Sequence, residues 1–178
     1  MTAPAIRLAA PGDAAALLRL KQRLDTETAF MLLEPGERDM SVQALAEELS
    51  VVARSGNSAV IVAESGDHLI GYVQLVGGTY RRNRTTAYLV IGVLAEASGQ
   101  GVGTGLLAEA KRWAAARGVH RLELTVMAHN RRAADLYERM GFSVEGRRAE
   151  CLIVGGQFVD ELYMALILGG PCTTWASG

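Results

Sequence analysis

Cysteine is nearly absent from this 178-residue chain: Cys151 and Cys172 are the only two. That excludes a disulfide framework, and no CxxC pair exists to hold a metal. Reduced thiols in a cytoplasm are the expected state. An excess of either charge is missing too. The 18 Lys and Arg face 19 Asp and Glu, for a net charge of −1, so the basic surface of a nucleic-acid binder is not expected. The one basic run, Arg81, Arg82 and Arg84, reads as a solvated loop. Met1 to Ile6 has no basic head followed by an apolar block, so no signal peptide is read there. No apolar stretch is long enough to cross a bilayer, and no membrane partner is expected. His68, His120 and His129 show no metal spacing. What remains is an ordinary globular composition, 49% apolar and 21% charged. It is long enough for one domain with a real core, assigned to residues 1–168, followed by a flexible tail at 169–178.

Periodicity gives the element order. Asp13 is placed to cap a helix carrying Leu17, Leu20 and Leu24, and Ser41 a second one through Leu45, Leu49 and Val52, closed by Gly56. Ala59–Ala63 and Leu69–Val76, separated by Ser65-Gly66-Asp67, read as a hairpin. Ala87–Leu94 is an almost unbroken apolar run, the pattern of a strand buried on both faces. A helix ending at Gly118, a strand at Leu122–Val126, a helix at Arg131–Met140, a short strand at Phe142–Glu145 and a closing hairpin around Gly155-Gly156 follow. Two helices, three strands, then alternation suit one mixed α/β sheet with helices on both faces.

The segment Ser98-Gly99-Gln100-Gly101-Val102-Gly103-Thr104 lies between a strand and a helix. Glycines there permit positive φ and close approach of a ligand. The first N–H groups of the helix lack internal partners and favour an anion such as phosphate. No Lys-Ser/Thr follows, which excludes a P-loop. Gly101-Val102-Gly103-Thr104-Gly105-Leu106 lacks the last glycine of a dinucleotide fingerprint and follows a hairpin instead of opening a first βαβ unit.

A second segment, Asn130-x-x-Ala133-x-x-x-Tyr137-x-x-x-Gly141-Phe142, follows the glycine turn. The two together resemble the motifs of the GNAT (GCN5-related N-acetyltransferase) superfamily, with the second pattern intact. In the glycine turn, Gly101 and Gly103 take the two motif glycines and Ser98 stands where Arg or Gln is usual; a shifted register would use Gln100, Gly103 and Gly105. The resemblance covers about residues 60–168. It implies an α/β (α+β) fold: a mixed, mostly antiparallel sheet of about six or seven strands, flanked by about four helices.

It also implies acetyl-CoA as co-substrate, an amine as acceptor, direct attack without a covalent enzyme intermediate, and possible homodimerisation. By resemblance, Ile91, Gly92 and Val93 meet the pantetheine arm, and a backbone N–H near Val93 polarises the acetyl carbonyl. Gly99, Gln100, Gly101, Val102, Gly103 and Thr104 hold the pyrophosphate through backbone N–H groups. Asn130 and Ala133 contact or brace the cofactor side, and Tyr137 is the general acid toward the departing thiolate. Some ribosomal-protein acetyltransferases carry Glu at the position of Thr125, which speaks against that type of peptide mechanism here. Glu34 is the candidate base or substrate contact, with Glu123 a second candidate. Asp160-Glu161 and Tyr163-Met164 are read as groove wall without a catalytic role. Glu34, Glu37 and Asp39 suit a cationic small-molecule amine; an N-terminal or lysine amine of a protein is the alternative. A non-catalytic coenzyme A-binding module is the reading from another class.

Overall fold

The computed structural model describes residues 4–169; the tail expected from Gly169, and Cys172 with it, lies outside the described residues apart from Gly169 itself. The chain runs β1 (Ala5–Leu8), α1 (Ala14–Glu27), α2 (Val42–Arg54), β2 (Ala59–Ser65), β3 (His68–Gly77), β4 (Thr86–Val93), α3 (Val102–Ala116), β5 (Arg121–Met127), α4 (Arg131–Arg139), β6 (Ser143–Val154) and β7 (Gln157–Ile167). The strands form one sheet in the order β1-β2-β3-β4-β5-β7-β6. Only the β4–β5 pairing is parallel.

Strand alternation divides the core between the two faces of this sheet. Ile61, Val73, Leu75, Leu89, Leu122 and Leu124 pack on one face beneath α3, whose Leu106, Leu107, Ala110 and Trp113 repeat at helical spacing. Val60, Val62 and Tyr72 pack on the other, beneath Leu17, Leu20, Leu24, Leu45 and Leu49 of α1 and α2. Leu106 and Leu107 are fully buried, each contributing about 2 kcal/mol of burial. They fix the start of α3 against the sheet just past the glycine turn.

Four sequence expectations change. β1 was not foreseen; at four residues it is too short for a periodic signal. Asp13 does not cap α1 through its side chain: its carboxylate accepts the Ala10 N–H at 2.7 Å and a two-pronged contact from Arg7. The short strand at Phe142–Glu145 and the first arm of the closing hairpin are one strand, β6, interrupted by irregularities at Val144/Gly146 and Arg148/Leu152, with Glu150 at φ +51. β4 is not buried on both faces: Tyr88 is exposed and Val90, Ile91 and Val93 are half-buried, because its second neighbour departs partway along.

Candidate active site

β4 and β5 pair only through Thr86–Tyr88 and Arg121–Glu123, and then separate. The Leu94 N–H donates to the Ile70 carbonyl and the Gly78 N–H to the Thr86 carbonyl, each at 3.0 Å. Peptide groups alternate sides along a strand. Those of Val90 and Gly92 are therefore engaged with β3, while those of Leu89, Ile91 and Val93 face the gap. On the opposite wall, the Leu168 N–H donates to His120 and the Ala128 N–H to Asp160, each at 2.8 Å. The same parity leaves the peptides of Thr125 and Met127 facing the gap. Two rows of peptide groups without ladder partners line a cleft of about 790 Å³. Such groups call for an occupant that hydrogen-bonds in an extended form.

The glycine turn stands at one end of the cleft. Gly99 and Gly101 both sit at φ +82, a conformation that a side chain disfavours. The turn is closed by the Gln100 amide, which donates to the Glu96 carbonyl at 2.7 Å. The first backbone bond of α3 runs from Gly105 N–H to Gly101 at 2.9 Å. The N–H groups of Val102, Gly103 and Thr104 are thus left at the positive end of the helix dipole. Ser98, Gly99, Gly101, Gly103 and Thr104 line the cleft, whereas the Val102 side chain is buried in the core. Ser98 leaves the turn without a cation of its own; Arg132 of α4 supplies one. A β-carbon added to Gly99 would lie 3.4 Å from its guanidinium, and Arg132 has no ion-pair partner among the described residues.

α4 forms the wall on the α3 side. Asn130 caps it, its side-chain oxygen accepting the Ala133 N–H at 3.2 Å. That start directs Ala133, Leu136 and Tyr137 at the cleft. Tyr137 is 7% exposed and packs against Phe142 with ring centroids 6.0 Å apart. Its hydroxyl makes no hydrogen bond within the described residues. Burial pushes the phenol's pKa well above its usual value, and the neighbouring Tyr88 adds to the effect. Tyr137 therefore holds its proton throughout the neutral range.

The other face belongs to α1, α2 and the connection between them. Phe30, Met31 and Leu32 line the cleft there, and Phe30 packs on His129 at 5.2 Å between ring centroids. Tyr88 OH and Thr125 Oγ1 are 2.8 Å apart; Thr125 donates to Glu161 Oε1 at 3.0 Å; Arg148 donates to Glu161 Oε2 at 2.9 Å. Glu34 is exposed and outside the cleft lining, its N–H donating to Glu37 at 2.8 Å. Glu37 and Asp39 lie outside the lining as well, as does Glu123, which pairs with Arg121 at 2.9 Å. The acids that do line the cleft are Glu27 and Glu161. Sequence reasoning assigned no role to Glu27, Arg132 or Tyr88 and read Glu161 as wall. Each acquires its place only from neighbours distant in sequence.

A mixed sheet that opens between its two parallel strands, with a glycine turn and a helix N-terminus at the opening, defines the acyl-CoA N-acyltransferase α/β fold. The family model described as the acetyltransferase (GNAT) family matches residues 22–142, and the chain belongs to that family. An acetyltransferase of the GNAT family from Streptococcus pneumoniae is 30% identical in sequence, with a TM-score of 0.90 over 93% of this chain and 99% of that one. A GNAT superfamily phosphinothricin acetyltransferase from Sinorhizobium meliloti, in complex with acetyl-CoA, shares the fold: TM-score 0.84, 21% identity, 99% and 95% coverage. The ribosomal protein uS5-alanine N-acetyltransferase of Escherichia coli (strain K12) is 40% identical over 48 residues, 27% of this chain. The matched stretch spans about a quarter of that relative's length, 25%.

Proposed function

We propose that the protein transfers an acetyl group from acetyl-CoA to a primary amine by direct attack. The observation that carries this reading is the gap between β4 and β5, which joins the anion-binding start of α3 to the unpaired hydroxyl of Tyr137. The N–H groups of Val102, Gly103 and Thr104, with the Gly99-Gln100-Gly101 turn, would take the pyrophosphate, and Arg132 would add the charge that Ser98 lacks. The gap-facing peptides of Ile91 and Val93 would hold the pantetheine arm and polarise the thioester oxygen. The peptide of Gly92 is engaged with β3, and its missing side chain makes room for Leu24 of α1, which a β-carbon there would meet at 2.6 Å. Tyr137 would donate to the departing sulfur. Asn130 fixes the helix that carries Tyr137 and Ala133. Glu34 stays at the outer loop and serves at most an incoming cationic substrate.

The preferred acceptor is a small-molecule amine. The cleft is bounded on its acceptor side by the compact Phe30–Leu32 segment and by Glu27, whose carboxylate is already held by Arg23 and the Ala95 N–H. The stretch shared with the uS5-alanine enzyme favours a second reading, a peptide α-amine. A homodimer in the cytoplasm completes the proposal. Thiol release from acetyl-CoA, measured across polyamines, amino acids and peptides, tests it. Turnover of a small amine supports the first reading, and turnover of peptides alone supports the second. Binding of acetyl-CoA without turnover of any amine identifies a coenzyme-binding module instead.

A further inference from the structure

We propose that Tyr88, Thr125 and Glu161 form a directed proton path that accepts the proton of the attacking amine, with Tyr88 as the group that touches it. The inference rests on the acetyl-transfer reading above and supplies the base that the sequence left open.

The direction of the path follows from donor counting. Glu161 Oε2 receives the Arg148 guanidinium at 2.9 Å and lies 3.6 Å from the Cys151 thiol. Glu161 is 9% exposed, and both of its oxygens serve as acceptors, Oε2 for the Arg148 guanidinium and Oε1 for Thr125. Thr125 must therefore spend its single hydrogen on Glu161 Oε1 at 3.0 Å. In the 2.8 Å contact between Thr125 and Tyr88, the hydrogen must then come from Tyr88. The phenol oxygen then has only lone pairs left, and Tyr88 lines the cleft. The chain ends in an acceptor at the place where an ammonium group would arrive.

The position fits the chemistry. By strand alternation Tyr88, Thr125 and Glu161 lie on the α1/α2 face of the sheet, while Tyr137 approaches from the α3/α4 face. The two phenols are close enough to interact electrostatically. A donor for the leaving sulfur and an acceptor for the entering amine thus stand on opposite sides of one gap. In the step, one N–H bond of the ammonium breaks and its proton goes to Tyr88. The Tyr88 proton moves to Thr125, and that of Thr125 to Glu161 Oε1. One N–H is lost, one carboxylic O–H is gained, and the proton leaves to water after turnover. Glu161 and Thr125 are positioning residues. The charged and titratable groups around the path are Arg148 and Cys151 from β6, Glu123 from β5, which stands opposite Tyr88 and pairs with Arg121, Tyr163 from β7, opposite Thr125 and beneath Arg148, Tyr137 from α4 and Glu27 from α1.

The test compares wild type with Thr125→Val, Thr125→Ser, Tyr88→Phe and Glu161→Gln. Thiol release is followed from pH 7 to pH 10, with spermidine, L-alanine and an N-terminal alanine peptide as amines. A primary amine with a pKa near 10.4 is only about 0.04% neutral at pH 7, so removing the acceptor should cost most there. Thr125→Val, Tyr88→Phe and Glu161→Gln are expected to lower kcat/KM about 100-fold at pH 7 and under about threefold at pH 10 with spermidine. Thr125→Ser, which keeps the hydroxyl, is expected to stay near wild type throughout. A loss that is the same at both pH values, or Thr125→Val at the wild-type rate, overturns the path while leaving acetyl transfer intact. Wild type that releases no thiol with any of the three amines overturns the transfer reading, and the path with it. A thermal shift with acetyl-CoA checks that each variant is folded. If Glu161→Gln does not fold, Thr125→Val, nearly equal in shape to threonine, and Thr125→Ser, which keeps the hydroxyl, decide.

Discussion

Arg38 grips Asp25 with two hydrogen bonds, 2.6 and 2.8 Å long, and the Asp25 side chain is only 2% exposed. This buried pair ties the last turn of α1 to the connection that carries Phe30, Met31 and Leu32 over the cleft. Removing one partner strands the other charge. Asp25→Ala is expected to destabilise the protein by about 3–5 kcal/mol, measured by urea unfolding. A loss below about 1 kcal/mol would mean that the pair is not a structural tie.

Tyr137→Phe keeps the packing against Phe142 and removes only the hydroxyl. Acetyl-CoA should raise the melting temperature of the variant as much as it does for wild type, while kcat falls about 100-fold. Because burial raises the phenol's pKa, loss of its proton should produce no fall in activity below pH 10. An unchanged kcat removes Tyr137 from the reaction.

Gly101 is held at φ +82 with nothing within 4 Å of an added β-carbon. The obstacle to a side chain there is conformational, not steric. Gly101→Val should cost about 2 kcal/mol of strain or rearrange the turn, and either outcome turns the first N–H groups of α3 away from the proposed phosphate site. The thermal shift produced by acetyl-CoA is expected to shrink or vanish. An unchanged shift places the pyrophosphate elsewhere.

Asn130→Ala removes the cap of α4 and should cost about 1 kcal/mol; Asn130→Ser should restore most of it. If the residue acts by orienting Tyr137, kcat and stability will recover together in the serine variant. Recovery of stability alone would assign Asn130 a direct contact to the ligand.

Tyr72 is 2% exposed, and burial pushes its phenol up to about 12, with Arg38 partly opposing. The unfolded chain ionises this group near pH 10 and the folded protein near pH 12, so stability is full below pH 10 and falls between the two. The slope from this one group approaches about 1.4 kcal/mol per pH unit. Tyr72→Phe should flatten that part of the stability profile. An unchanged profile would mean that the phenol is not shielded.

Much of the site could be read locally. Asn130, Ala133 and Tyr137 lie within one helix, and the glycines of the turn are contiguous, so their spacing records a shape that forms from nearby residues. Ser98 could be read as a missing cation in the same way. Local pattern also assigned helices to both faces, because α1, α2 and α3 bury regular apolar stripes. It could not show that the apolar run Ala87–Leu94 loses its neighbour after Tyr88, since strand pairing is a long-range event and leaves no mark on one strand's composition. For the same reason Glu34 looked available from its loop, while Glu161 looked like wall.

Residue order alone determined the helix stripes, the glycine turn and the Asn130–Phe142 helix, because each depends on contacts within a few positions along the chain. The tertiary structure decided where the sheet opens, which peptides face the opening, that Arg132 reaches the turn left bare by Ser98, and that Thr125 stands between Tyr88 and Glu161. Those relationships join residues 33 to 37 positions apart and more. They exist only once α3, α4 and the sheet have packed around a shared core.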